Sequence, residues 1–266
     1  MIRLTTNSFS WHPTYNKGIG ELSAVEICRQ AAEVGAEGIE IDPSRVTAAE
    51  LAEIGLALSG ASTGGPLFDE WTEADADQVV EVAAGTKALG GEYVFFTAAP
   101  KGGWGREEGV TEDNLKLAGE RFNALAARVR AEGVAIGLHN HAAFAKGLAA
   151  ELALIEEHTD PALVGLYLDV AWAYCGGGDP LAILCEFSDR CMGFHLRNHT
   201  ADKVPTETLA EGELDVAAIV RAIKGYGHEG WMGLELWHRE DVPVTKSMVD
   251  CQKESVAFVR ELLEEG

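Results

Sequence analysis

Short apolar runs alternate with longer stretches of helical period along the whole chain. Runs at 2–8, 38–42, 56–62, 93–97, 134–139, 164–169, 192–196 and 232–236 have the length and β-branched or aromatic content of buried strands. Between them, 21–34, 74–89, 112–131, 148–158, 216–224 and 246–263 repeat apolar residues every three to four positions, as an amphipathic helix does. Strands that alternate with helices form a parallel sheet, because a parallel pair needs a crossover.

The punctuation agrees. Thr111 stands where it can cap the helix at 112–131, with Asn114 three residues on. Asp179-Pro180 puts a capping carboxylate before a proline suited to a first helical turn, and Asp215 can cap the helix at 216–224. Gly35, Gly90, Gly133 and Gly227 follow helical runs and precede strands. No internal repeat, low-complexity tract or linker interrupts the series, so a single domain over 1–266 is expected.

Length decides between an open and a closed sheet. A chain of 266 residues suits a (β/α)8 TIM barrel, which needs about 250. The expected fold is therefore α/β, a parallel eight-stranded barrel. An open doubly wound sheet would carry a Gly-rich phosphate loop after its first strand. The Gly176-Gly177-Gly178 run follows the sixth strand and does not fit that pattern.

Charge and cysteine content narrow the partners. The net charge of −22 repels phosphate backbones and anionic lipid, so no nucleic acid and no membrane partner is expected. The five cysteines are odd in number and form no C-x-x-C pair, which fits free thiols in a reducing compartment. The N-terminal segment lacks an apolar signal core, and the expected location is cytoplasmic.

The chemistry sits where the strands end. The second run ends Glu40-Ile41-Asp42, the fifth His139-Asn140-His141, and the sixth at Asp169, followed by Trp172. The seventh ends His195-Leu196-Arg197 and the eighth Glu235-Leu236-Trp237. Residues two apart share a strand face, so Glu40 pairs with Asp42, His139 with His141, and His195 with Arg197. Strands five to eight would then aim His139, Asp169, His195 and Glu235 at one point, with His141 an alternative fifth-strand ligand. Buried carboxylates are costly unless neutralised. A mixed nitrogen–oxygen set of this kind suits one divalent ion; Mn²⁺ is the expected one, and the ligand identities do not choose between it and Co²⁺, Fe²⁺, Zn²⁺ or Mg²⁺.

These residues resemble the sugar phosphate isomerase/epimerase superfamily, the xylose-isomerase-like barrels. The likeness is carried by Glu37-Gly38-Ile39-Glu40-Ile41, Gly137-Leu138-His139-Asn140-His141 and Leu168-Asp169-Val170-Ala171-Trp172 with Gly177-Gly178-Asp179-Pro180. It continues in Phe194-His195-Leu196-Arg197-Asn198, Gly212-Glu213-Leu214-Asp215 and Gly233-Leu234-Glu235. The resemblance implies a metal held by Asp169, His195 and Glu235, and it puts Trp172 and Arg197 near the substrate. It also implies self-association, so a homo-oligomer is an expectation. Position 139 departs: many epimerases have Glu there, whereas His-Asn-His members, inosose-dehydratase-like ones among them, share the His.

The expected reaction is isomerisation or epimerisation of a sugar or keto-sugar through a metal-stabilised enediolate. Candidate bases for the α proton are Glu235, His141 and Glu40, in that order. The alternative is a dehydratase or lyase acting on a keto-inositol or 3-keto-glycoside, which His139 favours. A metal- or sugar-binding barrel without turnover is a further alternative, and the charge argues against the abasic-site endonucleases that share the barrel. His12 is expected at the mouth as a substrate contact. His199, Trp11, Trp104, Trp237 and Lys101 are weaker candidates, and His158, His228 and His238 read as structural or exposed.

Overall fold

A computed structural model describes residues 1–99, 110–141 and 147–265. Eight strands, β1 (Arg3–Asn7), β2 (Gly38–Glu40), β3 (Ala57–Gly65), β4 (Tyr93–Ala98), β5 (Ala135–His139), β6 (Val164–Asp169), β7 (Cys191–Leu196) and β8 (Trp231–Leu234), close in chain order into a parallel barrel. Around it lie helices α1 (Ala24–Glu33), α2 (Ala48–Ile54), α3 (Glu73–Ala88), α4 (Glu112–Ala131), α5 (Gly147–Ala153), α6 (Val170–Cys175), α7 (Pro180–Phe187), α8 (Val216–Gly225) and α9 (Met248–Glu264). Among the described residues no helix is long and apolar enough to cross a membrane.

Local chemistry sets the helix starts. Ser23, Thr47, Thr72 and Thr111 each close a capping box with the residue three positions on, which satisfies two otherwise orphaned donors per helix. Asp179 and Asp215 cap α7 and α8. The helix expected from residue 21 begins later, at Ala24, because Ser23 takes the cap. Two short helices, α2 and α6, were not expected from the pattern. Each is too short to display a helical repeat. The stretch 148–158 ends in a wide turn, Leu154–His158, rather than a regular helix.

Both faces of each strand are covered, as in other all-parallel sheets. Outward-facing Ile39, Val94, Phe96, Leu138, Leu166, Leu168, Leu196 and Leu234 are buried beneath the helices. Each such side chain contributes about 1.5–3 kcal/mol. Inside the barrel, Tyr93, Phe95, Tyr167 and Trp231 form an aromatic plug. Small residues make room for it: a Cβ on Gly193 would run into the Tyr167 ring, and one on Gly38 would lie 2.6 Å from Trp231. The plug is the floor on which the polar layer rests.

Candidate metal centre

Register brings the polar residues together. Asp169 lies beside His195, and Asn7 beside Glu40. His195 lies beside Gly233, so Glu235, two residues further on, shares its face. The ladder continues to Glu235, whose N–H donates to the Leu196 carbonyl at 3.1 Å.

His139, Asp169, His195 and Glu235 each turn one ligand atom inward, and these four atoms lie within 4.8 Å of one another. His195 Nδ1 is 3.0 Å from His139 Nε2 and 3.2 Å from Glu235 Oε2. His139 Nε2 is 3.5 Å from Asp169 Oδ2. Ligands about 2.1 Å from one ion stand about 3.0–3.4 Å apart at octahedral and tetrahedral angles. The spacing and the donor types therefore fit a divalent cation. All four residues are buried.

The supporting groups fix these atoms. Asn140 donates to the Asp169 carbonyl at 2.9 Å and accepts the Asp169 N–H at 2.8 Å, which joins the ends of β5 and β6. Asp169 Oδ1 caps α6 by accepting the Trp172 N–H, leaving Oδ2 for the centre. Glu40 lies below, 1% exposed. Its carboxylate accepts from Asn7 Nδ2 at 2.9 Å, Tyr93 OH at 2.6 Å, His195 Nε2 at 2.7 Å, and Tyr167 OH. A carboxylate oxygen that is already accepting needs a proton on the imidazole, so Nε2 keeps its hydrogen and Nδ1 is the nitrogen that would give up its proton to bind an ion at the centre. Burial and the Glu40 charge raise the pKa of both tyrosines well above 10, which keeps them donors.

The electrostatics keep both carboxylates of the cluster ionised, as a cation site requires. Burial opposes ionisation of Asp169 and Glu235, but Arg197 and the histidines outweigh it. Asp169 is held well below the usual carboxylate range and Glu235 falls to about 2. Burial lowers the pKa of His139, which stays neutral with a lone pair. His195 is pushed up to about 10, burial being overcome by Glu235 and Glu40. Arg197 donates from Nη2 to Asp169 Oδ2 at 2.6 Å and to Glu235 Oε2. Arg197 Nε also donates to Asp169 Oδ2 at 3.0 Å, so an ion at the centre would have to take over a lone pair that the guanidinium now holds.

Above this layer opens a cavity of about 910 Å³, near the top of the range for small-molecule sites, about 300–1,000 Å³. His139, His141, Trp172, Arg197, Glu235 and His12 all line it, as do Trp11 and Trp237. His141 stacks on Trp172 with centroids 4.2 Å apart. Burial, reinforced by His139 and Arg197, lowers its pKa to about 3. His12 is exposed at the rim, 4.8 Å from the Tyr15 ring.

Other expected residues stand apart. Glu40 does not line the cavity. Asp42, expected on the Glu40 face, is exposed and caps a short turn at Pro43–Arg45, because the strand has ended at Glu40. His199 is buried outside the donor set. Lys101 and Trp104 lie outside the described residues. Sequence reasoning missed Asn7, Tyr93, Asn140 and Tyr167. Tyr167 could have been found by strand parity, since it stands two residues before Asp169.

An inosose dehydratase from Salmonella typhimurium is 23% identical over 142 residues, 47% of each chain. The chain spans about half the length of the curated relatives it matches. The structure of an L-ribulose 3-epimerase superposes with a TM-score of 0.78 at 21% identity, covering 99% of this chain and 95% of that one. A probable 3-DHS dehydratase from Bacillus anthracis gives a TM-score of 0.73 at 14% identity, with coverage of 99% and 100%. The similar proteins thus include both epimerases and dehydratases. The profile of the xylose isomerase-like TIM barrel family matches residues 28–262, and the chain belongs to that family.

Proposed function

We propose that the chain is a divalent-metal-dependent isomerase or epimerase of a sugar or keto-sugar. The observation that carries this reading is the convergence of His139 Nε2, Asp169 Oδ2, His195 Nδ1 and Glu235 Oε2 beneath a cavity walled by aromatic rings. Manganese is the first choice of ion for this donor set, with Co²⁺, Fe²⁺, Zn²⁺ and Mg²⁺ as alternatives. When bound, the ion would polarise a sugar carbonyl and stabilise the negative charge that develops on its oxygen.

The chain's own residues supply the rest. Glu235 is ionised and faces the cavity, so it is assigned the transfer of the α proton. Arg197 holds Glu235 and Asp169 ionised and presents guanidinium N–H groups to substrate oxygens. His141 lines the cavity beside Trp172 and is assigned the orientation of a substrate hydroxyl. Glu40 is a positioning residue for His195 rather than a base, because its oxygens are occupied by four donors away from the cavity. Trp172 and Trp237 offer ring faces to sugar C–H groups, Trp11 being fully buried behind them, and His12 offers a polar contact at the rim.

One observation favours a second reading, a dehydratase or lyase acting on a keto-inositol or 3-keto-glycoside. At the end of β5 stands His139, a neutral imidazole turned into the donor set. Epimerisation by two carboxylates on opposite faces therefore lacks its second carboxylate, whereas elimination requires only one base. Incubation with Mn²⁺ and candidate keto-sugars in D2O separates the readings. Solvent deuterium on an unaltered carbon skeleton supports isomerase chemistry, and loss of a substituent supports the lyase. Neither outcome across keto-sugars, keto-inositols and 3-keto-glycosides would contradict both.

A further inference from the structure

A second cluster lies on the β7–β8 side of the barrel, outside the cavity. Glu207 comes from the loop between β7 and α8, His238 from the segment after β8, and Cys251 from the start of α9. Their ligand atoms lie within 4.8 Å of one another. His238 is 2% exposed and Cys251 0%. Neither ring nitrogen of His238 has a hydrogen-bond partner among the described residues. An unmet buried polar group costs about 1–3 kcal/mol, so this imidazole is placed to take a ligand that the described residues do not supply.

The other two groups are held ready. Glu207 Oε1 accepts the N–H groups of Thr245 at 2.7 Å and Lys246 at 3.1 Å, and Oε2 accepts the Thr245 hydroxyl at 2.5 Å. Such donors orient a ligating carboxylate and leave lone pairs for an ion. The loop itself is pinned at both ends. Asn198 donates to the Leu209 and Leu214 carbonyls. Leu209 N–H donates to Ser255 Oγ on α9 at 3.1 Å.

We infer that Glu207, His238 and Cys251 form a second metal site that selects zinc. Sulfur, nitrogen and oxygen donors together suit Zn²⁺, whereas the centre in the barrel mouth has no sulfur. The charges close: one thiolate and one carboxylate balance a dication, and the imidazole is neutral. As the zinc–sulfur bond forms, the Cys251 thiol releases its proton to solvent. One ring nitrogen of His238 donates its lone pair, and the other carries the hydrogen. Water completes the tetrahedron on the side of Glu207, which is only half-buried. The ion would tie the loop after β7 and the segment after β8 to α9. Trp237, adjacent to His238, lines the cavity, so the ion would set the position of that wall. The inference does not depend on which reaction the mouth performs.

Cobalt reports this site selectively, because a cobalt–thiolate bond has a strong near-ultraviolet charge-transfer band. Chelator-stripped wild-type protein titrated with Co²⁺ is expected to develop that band, and Zn²⁺ to abolish it. Cys251→Ser is expected to lose the band, whereas Cys185→Ser, at an exposed position, keeps it. No band at saturating Co²⁺ in the wild type, or a band that survives in Cys251→Ser, overturns the assignment. A readout that needs no variant is alkylation of the wild type followed by peptide mapping. Zinc should protect Cys251 from labelling under conditions that expose it in the stripped protein. Equal labelling with and without zinc would also overturn the assignment.

Discussion

Glu40 offers the sharpest test of how the centre is built. Replacing it with Gln keeps the shape of the side chain but removes the charge that four donors address. One oxygen becomes an NH2 group, which now faces hydroxyl or imidazole N–H donors with nothing to accept. His195 Nε2 loses a charged acceptor at 2.7 Å, and with it the constraint that keeps Nδ1 free to ligate. Loss of such an outer partner typically weakens metal affinity about 10–100-fold, or about 1.4–2.7 kcal/mol. Breaking one side of a buried ionic contact also costs the fold about 3–5 kcal/mol. Isothermal titration with Mn²⁺ measures the first effect and thermal unfolding the second. Tyr167→Phe removes one donor and leaves the charge, so it should lower stability by about 1 kcal/mol and shift affinity less. A Glu40→Gln protein that is folded and binds Mn²⁺ as tightly as the parent would refute the tautomer argument. It would make Glu40 a structural residue without influence on the centre.

Further outcomes follow from the same geometry. Glu235→Gln should lower turnover about 10²–10⁴-fold, read as loss of deuterium incorporation at the α carbon; near-normal rates would move the base elsewhere. Gly193→Ala should destabilise the barrel by about 1–3 kcal/mol, because the new methyl group meets the buried Tyr167 ring. At about 2–4 °C per kcal/mol a melting scan resolves that loss, and an unchanged midpoint would contradict the packing described. Burial, with Arg197 adding to it, holds His199 near a pKa of about 4, and burial lowers His228 as well. Unfolding returns both to about 6.5, so below that pH the unfolded chain binds protons the folded chain does not. The contribution of these two histidines should be complete above pH about 6.5 and fall as pH drops towards 4. Denaturant midpoints at neutral and mildly acidic pH check this, and a midpoint that rises on acidification would refute it.

The barrel was legible because a parallel sheet covered on both sides writes each strand as an apolar run, and a helix must follow each one. The convergence of donors was legible for a related reason: His139, Asp169, His195 and Glu235 interrupt those runs near their ends, on one face. Depth was not legible. Glu40 ends its strand like the others, yet it lies under the centre, held by Asn7, Tyr93, Tyr167 and His195. Periodicity gives the face of a side chain but not its height in the barrel. Asp42 left that face because its strand stopped two residues earlier. Tyr93 and Tyr167 read as ordinary strand aromatics, since only the closed barrel brings their hydroxyls to one carboxylate. Glu207, His238 and Cys251 have no spacing motif at all, and His238 read as structural or exposed. Tertiary packing alone makes them neighbours.

The most direct measurement is anomalous scattering from crystals grown with Mn²⁺. A single strong peak is expected about 2.1 Å from His139 Nε2, Asp169 Oδ2, His195 Nδ1 and Glu235 Oε2. No peak there at saturating Mn²⁺, with those four side chains joined only through Arg197 and solvent, would contradict the metal centre and the chemistry assigned to it.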